Sequence, residues 1–132
     1  MKMSPRANRF TPVARQSQNR AEPVEIWKAR KFIEGHSDEE LSLTKVAKAV
    51  YISANHLSEK FKEVTGVKFV DCVARTRFEK ARTLLHDPNL RVSEIAFAVG
   101  FQSLSQFNRV FKRLAGKSPT EYRRAAKAQT NR

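Results

Sequence analysis

The chain has 132 residues, and 26 lysines and arginines against 13 acids leave a formal net charge of +13. That length suits one domain, or two very small ones sharing a core, and a hydrophobic content of 40% is too high for a fully disordered chain. No apolar run approaches the roughly 18–20 residues of a membrane span, the opening MKMSPRANRFTPVARQ lacks the apolar centre of a secretory signal, and the single cysteine, Cys72, excludes an internal disulfide and a thiolate zinc cage. A soluble protein of a reducing, cytoplasmic compartment follows, and its charge seeks a polyanion, either nucleic acid or an anionic membrane surface.

From Met1 to Glu22 the chain is polar, and Lys2, Arg6, Arg9, Arg15 and Arg20 are opposed by Glu22 alone. Pro5, Pro12 and Pro23 punctuate the stretch, so residues 1–22 read as a basic flexible arm or linker. Helical periodicity then sets in. Ile26, Ala29, Phe32 and Ile33 share a face of a first helix that ends near Gly35. Ser42 can cap a short second helix, from Leu43 to about Val50, with Val46 and Ala47 inward. Ser53 can cap a third, Ala54 to about Thr65, with Leu57, Phe61 and Val64 inward and Gly66 placed to stop it. A long fourth helix, about Lys68 to His86, buries Phe69, Val73, Ala81, Leu84 and Leu85 before Asp87-Pro88-Asn89 ends it. The fifth covers about Val92 to Val99, with Ile95, Ala96 and Val99 inward. The sixth, Leu104 to Ala115, has Ser103 as its cap, Phe107, Phe111 and Leu114 inward, and Gly116 after it. Ser118-Pro119-Thr120-Glu121 opens a seventh as a capping box with proline at the first helical position. The tail, 127–132, is plain. The fold class is all-α.

The chain also repeats itself. Ser53–Gly66 (SANHLSEKFKEVTG) aligns with Ser103–Gly116 (SLSQFNRVFKRLAG) at an offset of 50, and Val46–Val50 aligns with Ile95–Val99 at 49. The second copy therefore carries one extra residue in its turn, GFQS against YIS. Each copy is a short helix, a tight turn and a longer capped helix, with Ala47 or Ala96 where steeply crossed helices need a small side chain. Seven helices thus form two helix-turn-helix subdomains, 23–66 and 89–126, joined by a long linking helix over 67–88. Such units serve DNA because the second helix lies in a major groove while the first crosses the backbone. At ~1.5 Å per residue the joining helix spans about 28 Å, comparable to the ~34 Å between successive major grooves on one face of the duplex.

At this point the residues resemble a known family. From Leu41 to Arg123 the chain is similar to the DNA-binding domain of the AraC/XylS transcription regulators. The second half, VSEIAFAVGFQSLSQFNRVFKRLAGKSPTEYR, follows that family's signature throughout, and the first half agrees at LSLTKVAKAV, SANHLS and FKEVTG. The resemblance implies sequence-specific binding of double-stranded DNA, activation more often than repression, RNA polymerase as a protein partner, a nucleoid-associated place in the cytoplasm, and no cofactor. No companion ligand-binding domain is visible, so no small-molecule effector is expected within the chain. The short one-domain activators and a detached C-terminal piece of a larger regulator both fit.

Inward-facing Leu57, Phe61 and Val64 leave Ala54, Asn55, Ser58, Glu59 and Lys62 outward; Phe107, Phe111 and Leu114 leave Leu104, Ser105, Gln106, Asn108, Arg109 and Arg113 outward or flanking. The family's base-reading positions map onto Asn55, Ser58 and Glu59, and onto Leu104, Ser105, Gln106 and Arg109. Arg109 suits guanine, Asn55 or Gln106 adenine, and Leu104 a thymine methyl. Lys62, Asn108, Lys112, Arg113 and Lys117 suit phosphates. Glu59 stands where many family members carry a cation. Its carboxylate either weakens reading in the first half or accepts a hydrogen bond from cytosine N4. Tyr51 occupies the turn position held by Gly100 in the second copy, so a positive φ there costs roughly 1 kcal/mol unless the turn differs.

Other features have plainer readings. Phe61, Phe107 and Phe111 share a face with leucines and belong to a core rather than to base stacking. Cys72 is a small buried filler. His36, His56 and His86 lack metal spacing. Asp38-Glu39-Glu40 reads as a helix-start cluster favoured by the macrodipole, and Arg77 as half of an ion pair with an unidentified carboxylate. No catalytic constellation or phosphate-cradling glycine loop stands out, so the chain does not read as an enzyme. Two rivals share the charge: a non-specific architectural nucleic-acid-binding protein, and a basic protein-interaction module. Neither needs varied polar residues on two capped helices.

Overall fold

A computed structural model of the protein describes residues 22–130; apart from Glu22, the basic stretch read as an arm lies outside them. The described residues form seven α-helices and no strand: α1 (Val24–His36), α2 (Leu43–Ala49), α3 (Ala54–Thr65), α4 (Phe69–Leu84), α5 (Val92–Ala98), α6 (Leu104–Ala115) and α7 (Pro119–Thr130). Local chemistry accounts for their ends. Ser42 Oγ accepts the Lys45 N–H at 3.0 Å, Ser53 Oγ that of His56 at 3.1 Å, and Ser103 Oγ that of Gln106 at 3.0 Å. Each bond satisfies one of the amides a helix start leaves unpaired. At α5 the Glu94 carboxylate accepts the Arg91 N–H at 2.8 Å. At α7 the predicted box closes both ways, Ser118 N–H donating to Glu121 Oε1 at 2.9 Å and Glu121 N–H to Ser118 Oγ at 3.1 Å. α7 then continues past Lys127 to Thr130, because Ala-Lys-Ala-Gln contains no breaker.

The residues divide into two compact units. Unit 1 holds 22–35 and Ser42–Cys72. Its buried residues are Ile26, Ala29 and Ile33 on α1, Val46 and Ala47 on α2, Val50 after it, Leu57 and Phe61 on α3, and Phe69 and Cys72 at the start of α4. Phe61 meets Phe69 edge to face at 6.1 Å, and Arg30 donates two 2.8 Å hydrogen bonds to the Glu22 carboxylate. Val64 departs from expectation. It is 36% exposed, since it lies in the last turn of α3 beyond the depth of the small core. Tyr51 adopts φ +65° and Gly100 φ +112°, so the first turn holds a positive φ at a tyrosine where the second uses glycine.

Unit 2 holds His36–Leu41 and the described residues from Val73 onward. Phe78, Ala81, Leu85, Ile95, Ala96, Val99, Phe101, Phe107 and Phe111 make one apolar cluster. An aromatic chain runs through it: Phe101 to Phe107 at 5.2 Å, Phe107 to Phe111 at 5.6 Å, then Phe111 to Phe78 at 4.9 Å and to Tyr122 at 5.4 Å. Phe107 and Phe111 are fully buried, as is Phe61 in unit 1. All three are core.

Two arginines tie unit 2's loops. Arg77 on α4 donates through Nε to the Ser37 carbonyl and through Nη2 to the Glu39 carbonyl, both at 2.8 Å. Its guanidinium lies 5.9 Å from the Phe101 ring centre, and burial lowers its pKa. Two expectations are corrected here. The partners of Arg77 are backbone carbonyls rather than a carboxylate. The Asp38-Glu39-Glu40 run lies before the Ser42 cap, leaving no acid in the first turn of α2, because Arg77 holds that stretch as a loop. Lys80 donates to Ser37 Oγ at 2.6 Å, and Ser37 is fully buried. Gly100 packs against the same carbonyl: at φ +112°, an added Cβ would lie 2.2 Å from Ser37 O and 2.7 Å from Arg77 Nε. Arg123 on α7 makes a second clamp, donating to the carbonyls of Leu85 (3.0 Å), Asp87 (3.1 Å) and Leu90 (2.6 Å).

Candidate nucleic-acid interface

The capped starts and buried stripes of α3 and α6 orient their remaining faces. On α3, Leu57 and Phe61 are buried, which turns Asn55, Ser58, Glu59 and Lys62 to solvent. On α6, Phe107 and Phe111 are buried, which turns Ser105, Asn108, Arg109 and Lys112 to solvent. Each set falls at i, i+3, i+4 and i+7, one stripe along one helix. The two stripes match position for position at the repeat offset: Asn55 with Ser105, Ser58 with Asn108, Glu59 with Arg109, Lys62 with Lys112. Arg113 and Lys117 are also exposed, and Leu104, at the first position of α6, is 39% exposed.

Gln106 differs from its neighbours. It is half-buried, and its Oε1 accepts the Gln102 N–H at 3.2 Å. One lone pair of its carbonyl oxygen therefore serves the helix start, which leaves the second lone pair and the NH2 group for other partners. His56 leans toward α1, with Nε2 3.6 Å from Glu25 Oε2. Lys60 and Glu63, also on α3, form an exposed ion pair at 3.6 Å. Among the described residues no helix is long and apolar enough to cross a membrane, and no His, Cys, Asp and Glu side chains gather to hold a metal ion.

Sequence reasoning missed several residues that hold these faces in place. Ser37, Lys80 and Arg123 signal nothing by periodicity, because their bonds join residues more than 30 positions apart. Phe78 was legible. It precedes Ala81 on α4 and Leu85 just past the helix end at i, i+3 and i+7, and all three are buried.

In each unit a short helix, a tight turn and a capped helix with a polar outward stripe make a helix-turn-helix, the arrangement of DNA-binding domains. A family model described as a helix-turn-helix domain matches residues 46–125, more than half of the chain. The chain belongs to the AraC-type helix-turn-helix family of DNA-binding transcription regulators. It is 38% identical over 100 residues to the uncharacterized HTH-type transcriptional regulator YijO of Escherichia coli, a match over 76% of this chain and 35% of that protein. It is 37% identical over 85 residues to the HTH-type transcriptional activator Btr of Bacillus subtilis, over 64% of this chain and 16% of that protein. The chain thus spans about a third or less of these curated relatives. Among solved structures, the DNA-binding domain of AdpA, a global transcriptional factor in complex with a target DNA, superposes with a TM-score of 0.75 at 26% identity. That match covers 80% of this chain and 95% of that one.

Proposed function

We propose that the chain binds a specific asymmetric site in double-stranded DNA, each recognition helix reading its own major-groove turn, and activates transcription through contact with RNA polymerase. The observation carrying this reading is the matched pair of solvent-facing stripes on α3 and α6, each polar, varied and backed by buried phenylalanine. Asn55, Ser58 and Glu59 read bases in one half; Leu104, Ser105, Gln106 and Arg109 read them in the other. Lys62, Asn108, Lys112, Arg113 and Lys117 contact phosphates. The chemistry fits these roles, with guanidinium and amide groups for base edges and lysines for the backbone. Two similarities support the reading: AdpA's DNA-binding domain has been solved on its target, and Btr is named an activator. The chain acts on chromosomal DNA in the cytoplasm and performs no catalysis.

Selection of bound duplexes from a random pool tests this directly. The expected product is one site without dyad symmetry, carrying two conserved blocks about one helical turn apart. Competition against scrambled duplex should show a preference of ~10³-fold or more. Equal affinity for both would replace this reading with that of an architectural protein, and failure to bind any duplex at low salt with that of a protein-interaction module.

A further inference from the structure

The repeat exchanges charge between its helices. Glu59 on α3 stands where α6 has Arg109, and Lys45 and Lys48 on α2 stand where α5 has Glu94 and Phe97. In the second unit α6 carries Arg109, Lys112 and Arg113 with no acid, while α5 carries Glu94 as its sole charged residue. In the first unit α3 carries Glu59 and Glu63 against Lys60 and Lys62, a net charge of zero, and Lys60 is paired to Glu63. α2 carries two lysines and no acid. A polyanion is therefore drawn to the recognition helix of one unit and to the preceding helix of the other.

The turn after α2 adds a second observation. Lys45 and Lys48 are exposed one helical turn apart. One turn further on, Tyr51 donates its N–H to the Lys48 carbonyl at 3.2 Å. Tyr51 is 92% exposed and holds φ +65°. Its ring gains nothing from burial, and its backbone holds a positive φ, which glycine adopts freely and which Gly100 also has, at +112°. Strain retained at an exposed aromatic without packing benefit marks a residue kept for what it contacts. A phenol and an ammonium along the first helix of a helix-turn-helix suit the sugar-phosphate backbone which that helix crosses.

We infer that Lys48 and Tyr51, with Lys45 beside them, form a phosphate clamp on the first unit that acts alongside Lys62 and offsets the zero net charge of its recognition helix. This leaves α3 to read bases with little electrostatic pull of its own. The inference rests on the DNA-binding reading above and assigns its first half an anchor distinct from that of the second.

The test measures the affinity of the full chain for its selected duplex as a function of salt, in wild type and three variants. Lys48→Ala should weaken binding about 3–10-fold on selected and scrambled duplex alike and reduce the salt slope by about one. Tyr51→Phe keeps the ring and removes the hydroxyl donor; it should weaken both complexes about 2–10-fold with the slope unchanged. Phe97→Ala on α5 should leave affinity and slope at wild-type values. Helicity compared across the set confirms that each variant is folded. Wild-type behaviour of both Lys48→Ala and Tyr51→Phe overturns the clamp, as does a loss confined to one base position or an equal loss in Phe97→Ala. If those results come with intact preference for the selected site, the clamp falls and the DNA-binding reading stands. Absence of binding to any duplex removes both.

Discussion

Gly100→Ala should be among the most damaging single-methyl additions to this protein. An alanine held at φ +112° carries a backbone penalty of about 1–2 kcal/mol. Its Cβ would also sit 2.2 Å from the Ser37 carbonyl oxygen and 2.7 Å from Arg77 Nε, both far inside contact distance. Those two atoms are the ends of a 2.8 Å hydrogen bond, so relief of the clash separates them. A hydrogen bond made by a charged group contributes about 1.5–3 kcal/mol. The two penalties together come to about 2.5–5 kcal/mol, a large part of the 5–15 kcal/mol typical of a folded domain. Urea unfolding of the full chain, followed by helical circular dichroism, measures it: at a slope near 2 kcal/mol/M the midpoint should fall by about 1.2–2.5 M. Gly116→Ala is the control. Gly116 also has positive φ, +82°, yet nothing lies within 4 Å of its added Cβ, so its cost should stay near 1 kcal/mol. If Gly100→Ala loses no more than Gly116→Ala, the close approach to Ser37 and Arg77 contributes nothing.

Other outcomes are expected elsewhere. Tyr51→Gly relieves a strained turn without exposing apolar surface and should stabilise the fold by about 0.5–1 kcal/mol after the added chain entropy; a destabilised variant in the same urea assay would show that the phenol ring packs. Arg109→Ala should cost about 1–3 kcal/mol on the selected site and relax one base position, and an unchanged selected sequence would mean that α6 does not read bases through that residue. Glu59→Ala removes the only side-chain acceptor at that position and should abolish a preference for cytosine there, checked by repeating the selection with the variant. Glu121 is held below the usual carboxylate range, first by the Ser118 N–H and then by the Ser118 hydroxyl. Its depressed folded pKa stabilises the fold above the ordinary value near 4.3 and that stability is lost as pH falls through the folded value. An NMR titration of the Glu121 side chain with an unshifted midpoint would contradict the box.

Much of the architecture was legible because its determinants are local. Ser42, Ser53, Ser103 and Ser118 announce helix starts by residue type, and each accepts the amide it was placed to accept. The inward stripes at Leu57 and Phe61, and at Phe107 and Phe111, follow from spacing alone. Long-range pairing was not legible. Arg77 looks like any helical cation until the fold brings the Ser37 and Glu39 carbonyls to it, and a backbone carbonyl leaves no mark in a sequence. Gly100 could be read as a residue freeing φ, but its neighbours across the fold could not. At the candidate interface, periodicity turned Gln106 outward; its bond to Gln102 N–H depends on a side-chain torsion that no spacing rule specifies.

The two arginine clamps have a consequence for altering what the protein recognises. Arg77 and Arg123 grip loop carbonyls at equivalent places, Ser37 and Leu85, then Glu39 and Asp87, each pair 48 positions apart. The loops of unit 2 are thereby anchored through backbone carbonyls, which no point substitution in α6 rewrites. Under the proposed reading, Asn55, Ser58, Glu59, Ser105 and Arg109 are interchangeable letters on a fixed typeface, open to retargeting by mutation, whereas Gln106 also serves the start of its own helix.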